Sequence, residues 1–156
     1  PVTLDNVVLA EMLWAAFKAT FTATAILGVI LALSISHSPK LIIVWGVLVL
    51  VGMMFSSIAL IFNALAPGYD FFTYYFTLVL TPMVFLSGVF FPREQLPWVV
   101  RVATEWLPLT TAVELVRPLF MDQWPPHPLG LGLVLLATTV LAYWVALALT
   151  RRRFRA

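Results

Sequence analysis

Residues 41–62 read LIIVWGVLVLVGMMFSSIALIF, a run of 22 positions without a charge. A helix that crosses the hydrocarbon core of a bilayer needs about 20 consecutive, mostly apolar residues, and this run supplies them. Working outward, the stretches 15–35, 71–91 and 129–150 meet the same requirement. The first carries Lys18 near its start, where a long side chain can snorkel to the headgroups. Trp14, Phe71, Phe72, Phe90 and Phe91 stand at the boundaries, where aromatic rings favour the membrane–water interface.

The composition agrees. Of 156 residues, 62% are hydrophobic and 10% charged, where a soluble domain carries about 25% charged residues. Mean hydropathy is +1.02. These values exclude a soluble enzyme and a disordered tail. A net charge of +2 with no basic face excludes a nucleic-acid partner. Without cysteine there is no disulfide framework and no thiolate metal site. The expected fold is all-α, a polytopic membrane protein with four transmembrane helices and a lipid bilayer for solvent. The chain opens on Pro1 rather than Met, so a fragment or processed product is expected. Its first residues lack the basic n-region of a signal peptide.

The breaks between spans carry turn chemistry. Ser36-His37-Ser38-Pro39-Lys40 and Pro67-Gly68-Tyr69-Asp70 are short connectors. The gap 92–128 is long and holds two pieces of about 11 residues, too short to span: Leu96 to Trp106 with Arg101 and Glu105, and Thr110 to Phe120 with Glu114 and Arg117. Trp98, Trp106 and the leucines among them predict two short re-entrant or interfacial helices rather than a solvated loop. Segment 3–14 predicts a further interfacial helix: Leu4, Val7, Val8, Glu11 and Met12 follow helical spacing, with Thr3 or Asp5 as N-cap. The cluster Arg151-Arg152-Arg153-Phe154-Arg155 places the tail 151–156 in the cytoplasm. Four spans put segment 3–14 and loop 67–70 on the same side, and 92–128 outside.

No chemistry is expected. The only histidines, His37 and His127, sit in loops beside proline, and no H-E-x-x-H, Walker A or dinucleotide motif occurs. No catalytic, cofactor-binding or metal-ligating residue is assigned. No Asp, Glu or Arg lies mid-span, as an ion-coupled carrier would require. In the third span Tyr74, Thr77, Thr81 and Gly88 recur at helical spacing. Such a stripe can line a passage for a polar or amphipathic molecule, and the same residue types serve helix packing, the commoner use. Pro82 within it should kink the helix. Gly52 with Ser56, and Thr138 with Ala142 and Ala146, read as packing seams. Asn63 reads as a helix C-cap.

The stretch Phe85-Leu86-Ser87-Gly88-Val89-Phe90-Phe91-Pro92, followed by Gln95-Leu96-Pro97, Leu107-Pro108-Leu109-Thr110 and Val116-Arg117, resembles the type-two ABC exporter permeases. Leu4-Asp5-Asn6-Val7-Val8-Leu9-Ala10-Glu11 and Ala64-Leu65-Ala66-Pro67-Gly68-Tyr69-Asp70 point to the branch that exports nodulation factors, which are lipo-oligosaccharides. The resemblance covers essentially the whole chain. Members have six spans, so it implies spans three to six of a permease in the bacterial inner membrane. It further implies a cytoplasmic ABC ATPase as partner, a second permease copy, and ATP hydrolysis on the partner alone. Segment 5–14 would be the coupling helix, so Asp5 and Glu11, with Tyr69 and Asp70 of the loop, would meet the ATPase. Tyr74, Thr77 and Thr81 would line part of the path. Phe90, Phe91, Trp98, Trp106 and Arg117 would shape an outer gate. The cargo would be an amphipathic lipo-oligosaccharide, polysaccharide or drug. The competing expectation is a non-transporting membrane scaffold or an inert truncated permease.

Overall fold

A computed structural model describes residues 3–35, 38–90 and 97–154. His37, Phe91 and the motif residues Pro92, Gln95 and Leu96 lie outside the described residues. Among those described, every regular element is helical. Three are long and apolar enough to cross a membrane: α1 (Leu4–Ala32), α2 (Leu41–Leu65) and α7 (Pro128–Arg153). Between them run α3 (Asp70–Tyr74), a π-helical turn (Tyr75–Leu80) and α4 (Thr81–Leu86), one continuous helical stretch at the place of the third expected span. This third pass falls short of the three helices of spanning length, where four spans were expected. Then come the short α5 (Trp98–Glu105) and α6 (Pro108–Phe120).

The boundary expected between segments 3–14 and 15–35 is absent. Thr3 is the N-cap, its hydroxyl accepting from Asn6 N–H at 3.4 Å, and from Leu4 the helix runs unbroken for 29 residues. No Gly or Pro interrupts it before Gly28. The buried positions Val8, Met12 and Ala16 follow i,i+4 spacing straight through the expected break. At 1.5 Å per residue the helix is about 44 Å long, well beyond the hydrocarbon core of about 30 Å. It ends at Ala32 rather than Ile35, where Ser34 takes a left-handed conformation, φ 56°.

The third pass is shorter than the expected 71–91. Its helix stops at Leu86 and turns through Ser87 and Gly88, whose φ of 87° suits glycine. Its 17 residues reach about 25 Å. Pro82 has no N–H to give, and its ring crowds the carbonyl four residues back. The accommodation is the preceding π turn, where the Phe76 carbonyl accepts from both the N–H and the hydroxyl of Thr81, the latter at 2.9 Å.

Helix α2 lies at the centre, packed by α1, α7 and α6. One core cluster holds Leu27, Leu41, Val44 and Leu119; the other holds Met54, Ala112, Leu115 and Leu135. The α1–α2 seam is tight: a Cβ added to Gly52 would lie 3.2 Å from Ala19 Cβ. Nearby, buried Ser57 donates to Met12 Sδ at 3.0 Å, and Trp45 Nε1 donates to Thr24 Oγ1 at 2.8 Å. Ala142 and Ala146 are buried on α7, as small-residue packing requires. The third pass docks on the end of α2 through the Phe62 ring, 4.1 Å from that of Tyr75.

Candidate functional site

The start of α1 and the end of α2 are held by arginines of α7. At the start of α1, Asp5 accepts from Arg151 through both carboxylate oxygens, from Nε at 2.9 Å and from Nη2. The Arg151 hydrogen bonds hold the Asp5 carboxyl below its ordinary range. Arg153 Nη1 donates to the Asn63 carbonyl at 2.9 Å, at the end of α2. Asn63 is therefore no C-cap residue; α2 continues to Leu65 and ends at Ala66. These bonds bring the start of α1, the end of α2, the connector 67–70 and the end of α7 to one end of the bundle. Glu11, Tyr69 and Asp70 are exposed there.

The opposite end is fastened by residues to which local sequence assigns no role. Lys40 Nζ lies 3.2 Å from Asp122 Oδ1 and 2.5 Å from the Asp122 carbonyl, and sits 5.2 Å from the Trp124 ring centroid. The Ser38 hydroxyl donates to the same carboxylate at 2.9 Å. The Ser38 hydrogen bond, then the bond and charge of Lys40, lower the Asp122 pKa. A lone Lys after Pro39 and a lone Asp before Trp124 are the signal that the sequence offers, but 82 residues separate the partners.

Arg117, expected at an outer gate, reaches from α6 to the end of the third pass. Its Nη2 donates to the Gly88 carbonyl at 2.5 Å and the Val89 carbonyl at 3.4 Å. A polar recess of about 440 Å³ opens beside it, lined by Ser87, Arg101, Glu105, Glu114 and Arg117 among others. Helix α5 turns Trp98, Val99 and Val102 outward, at 71, 60 and 46% exposure, and buries Thr104; Trp106, just past its end, is 87% exposed. Phe90 is exposed and its ring lies tilted against that of Phe85, 5.3 Å between centroids.

The residues expected along a path are not gathered on one cavity. An apolar groove of about 440 Å³ runs between α1, α2 and the third pass, and the third pass presents Tyr75, Phe76 and Leu80 to it. Tyr74 and Thr77 are exposed and do not line that groove. Thr81 lines a smaller recess with Phe76, Leu80, Val84, Phe85 and Phe90, while its hydroxyl is tied to its own helix. Among the described residues no group of acidic or imidazole side chains could hold a metal ion.

Comparison with known proteins places this architecture. The model of the ABC-2 type transporter family matches residues 1–121. Nodulation protein J of Neorhizobium galegae is 43% identical over 152 residues, and that of Sinorhizobium fredii 40% over 152 residues. The match to Nodulation protein J of Rhizobium meliloti is 39% identical over 153 residues. In each case 97% of this chain is covered but 58% of the relative, so the chain spans little more than half the length of the relatives it matches. No solved structure matches. Long apolar helices, the fastened helix ends and the family match over most of the sequence agree: the chain belongs to the ABC-2 type transporter family of multi-pass membrane proteins, in the branch of Nodulation protein J.

Proposed function

We propose that this chain is the membrane-embedded part of an ATP-driven exporter, moving an amphipathic lipo-oligosaccharide across the bacterial inner membrane, with a polysaccharide or drug-like molecule as the next substrate class. A separate cytoplasmic ATPase binds ATP and meets the end of the bundle that carries Glu11, Tyr69 and Asp70. The permease works as a pair. The observation that carries this reading is the continuity of α1: 29 residues without a break join a segment long enough to protrude from the membrane to the span itself. A push at its start therefore tilts the whole helix, and the Gly52–Ala19 seam passes the tilt to α2.

The basic end of α7 lies in the cytoplasm in this reading, because Lys and Arg flanking a span are retained on that side. The end with α5 and α6 is then outer. There α5 lays its aromatic face against the leaflet, and Arg117 couples α6 to the third pass. Tyr74, Thr77 and Thr81 form the polar side of the third pass, open to a facing subunit or a passing headgroup.

Reconstitution tests it. Inverted vesicles holding the intact permease and its ATPase should take up a fluorescent acyl-oligosaccharide when given ATP, and the permease should stimulate ATP hydrolysis. Vesicles that show neither would return the chain to the scaffold reading.

A further inference from the structure

We propose that Arg151 and Arg153 are positioning residues of the coupling machinery, fastening the last span to the helix that receives the push. The proposal rests on the exporter reading above. Beyond a positive tail that sets topology, it gives these side chains a mechanical task. Helix α2 lies between α1 and α7, which touch little along their lengths. The Asp5–Arg151 pair joins them directly, across 146 positions of sequence. Its form is the two-bonded fork of guanidinium on carboxylate, which fixes orientation as well as distance. Each partner also sits where its own helix favours it, Asp5 in the first turn of α1 and Arg151 in the last turn of α7.

Arg153 does the same for α2. The last turn of a helix leaves carbonyls without intrahelical donors, and α2 has no basic residue of its own there. Arg153 Nη1 supplies the donor from α7, to Asn63 at 2.9 Å and Ala64 at 3.4 Å. Three helix ends thus meet at two arginines spaced two residues apart. Motion of the start of α1 is delivered to α2 and α7 at the same end, instead of passing through the packed spans alone.

Charge alone and geometry alone make different demands. A tail that only sets topology works equally well with lysine, whereas the fork needs arginine. The experiment uses the intact permease with its ATPase in inverted vesicles and measures fluorescent acyl-oligosaccharide uptake per ATP hydrolysed, with the inserted amount of each variant determined alongside. Asp5→Asn, Arg151→Gln and Arg151→Lys should each lower that ratio about fivefold, the low end of coupling between sites, with insertion retained in all three and ATP hydrolysis retained in the two Arg151 variants. The double variant Asp5→Asn/Arg151→Gln should lose no more than either single, because both remove one link. Full coupling in Arg151→Lys and Asp5→Asn, or losses that multiply in the double variant, would overturn the clasp. Lack of ATP-dependent uptake by the unaltered complex would instead sink the exporter reading beneath it.

Discussion

Arg117 Nη2 lies 2.5 Å from the Gly88 carbonyl oxygen, so the last turn of α6 holds the point where the third pass stops. Gly88 reaches that position with φ 87°, a conformation in which a Cβ is strained. The backbone turn presents the carbonyl, and the guanidinium satisfies it.

Removing either half should release the end of the third pass. Arg117→Met should lower unfolding free energy by about 1–2 kcal/mol through the lost charged hydrogen bond. Gly88→Ala should cost about 1–2 kcal/mol through left-handed strain. Thermal unfolding of the purified protein in detergent measures both. Unchanged midpoints would mean that the contact contributes nothing to holding the third pass.

The α1–α2 seam makes a steric prediction. Gly52→Leu should drive the helices apart and cost about 1–3 kcal/mol, as overpacking does. In Gly52→Ala the one contact tighter than ordinary is the Ala19 methyl at 3.2 Å, the Ala16 backbone lying at 3.6 and 3.7 Å, so Ala19→Gly in the same chain should restore the midpoint. If the double variant is as unstable as Gly52→Ala, the close approach lies elsewhere.

At the end of the bundle opposite Arg151, the Lys40–Asp122 clasp should resist mild acid. The folded Asp122 pKa is depressed, first by the Ser38 hydrogen bond and then by Lys40. A depressed carboxyl contributes its stabilisation above the unfolded pKa and loses it as pH falls through the folded value. In a variant keeping Trp124 as its only tryptophan, emission should hold steady from about pH 7 to about pH 5, and change only below the ordinary carboxylate value of about 3.9. Asp122→Asn should shift the emission at neutral pH. A transition near neutral pH would assign the signal to another group.

Helix α5 predicts a labelling pattern. Single cysteines at Trp98 and Val102, on its outward apolar face, should react slowly with a membrane-impermeant thiol reagent. Those at Arg101 and Glu105, beside the polar recess, should react fast. Equal rates at all four positions would remove α5 from the leaflet.

Topology has its own check. With Asp5 and Arg151 paired, the start of α1 and the end of α7 lie at one end of the bundle, and the basic end of α7 is expected in the cytoplasm. A reporter active only in the periplasm and fused after Ala156 should be silent. Periplasmic activity would invert the orientation of every element.

Residues 41–62, the connector 67–70 and the existence of two short helices between 97 and 120 are legible in the sequence, because hydropathy and turn chemistry act locally. The seam residues Gly52 and Ser56 are legible for the same reason, since small side chains every fourth residue mark a close approach. The family is legible in the motif from Phe85 to Arg117. The partners of the charges are not. Asp5 with Arg151, and Lys40 with Asp122, lie far apart in the chain, and nothing in local spacing pairs them. Which face of the third pass meets the groove is a tertiary decision: Tyr75, Phe76 and Leu80 line it, while Tyr74 and Thr77 remain exposed. The unbroken α1 is likewise a tertiary decision. A change from mixed to apolar composition near Ala15 looks like a boundary in sequence. Packing Val8, Met12 and Ala16 on one buried stripe makes it a single helix.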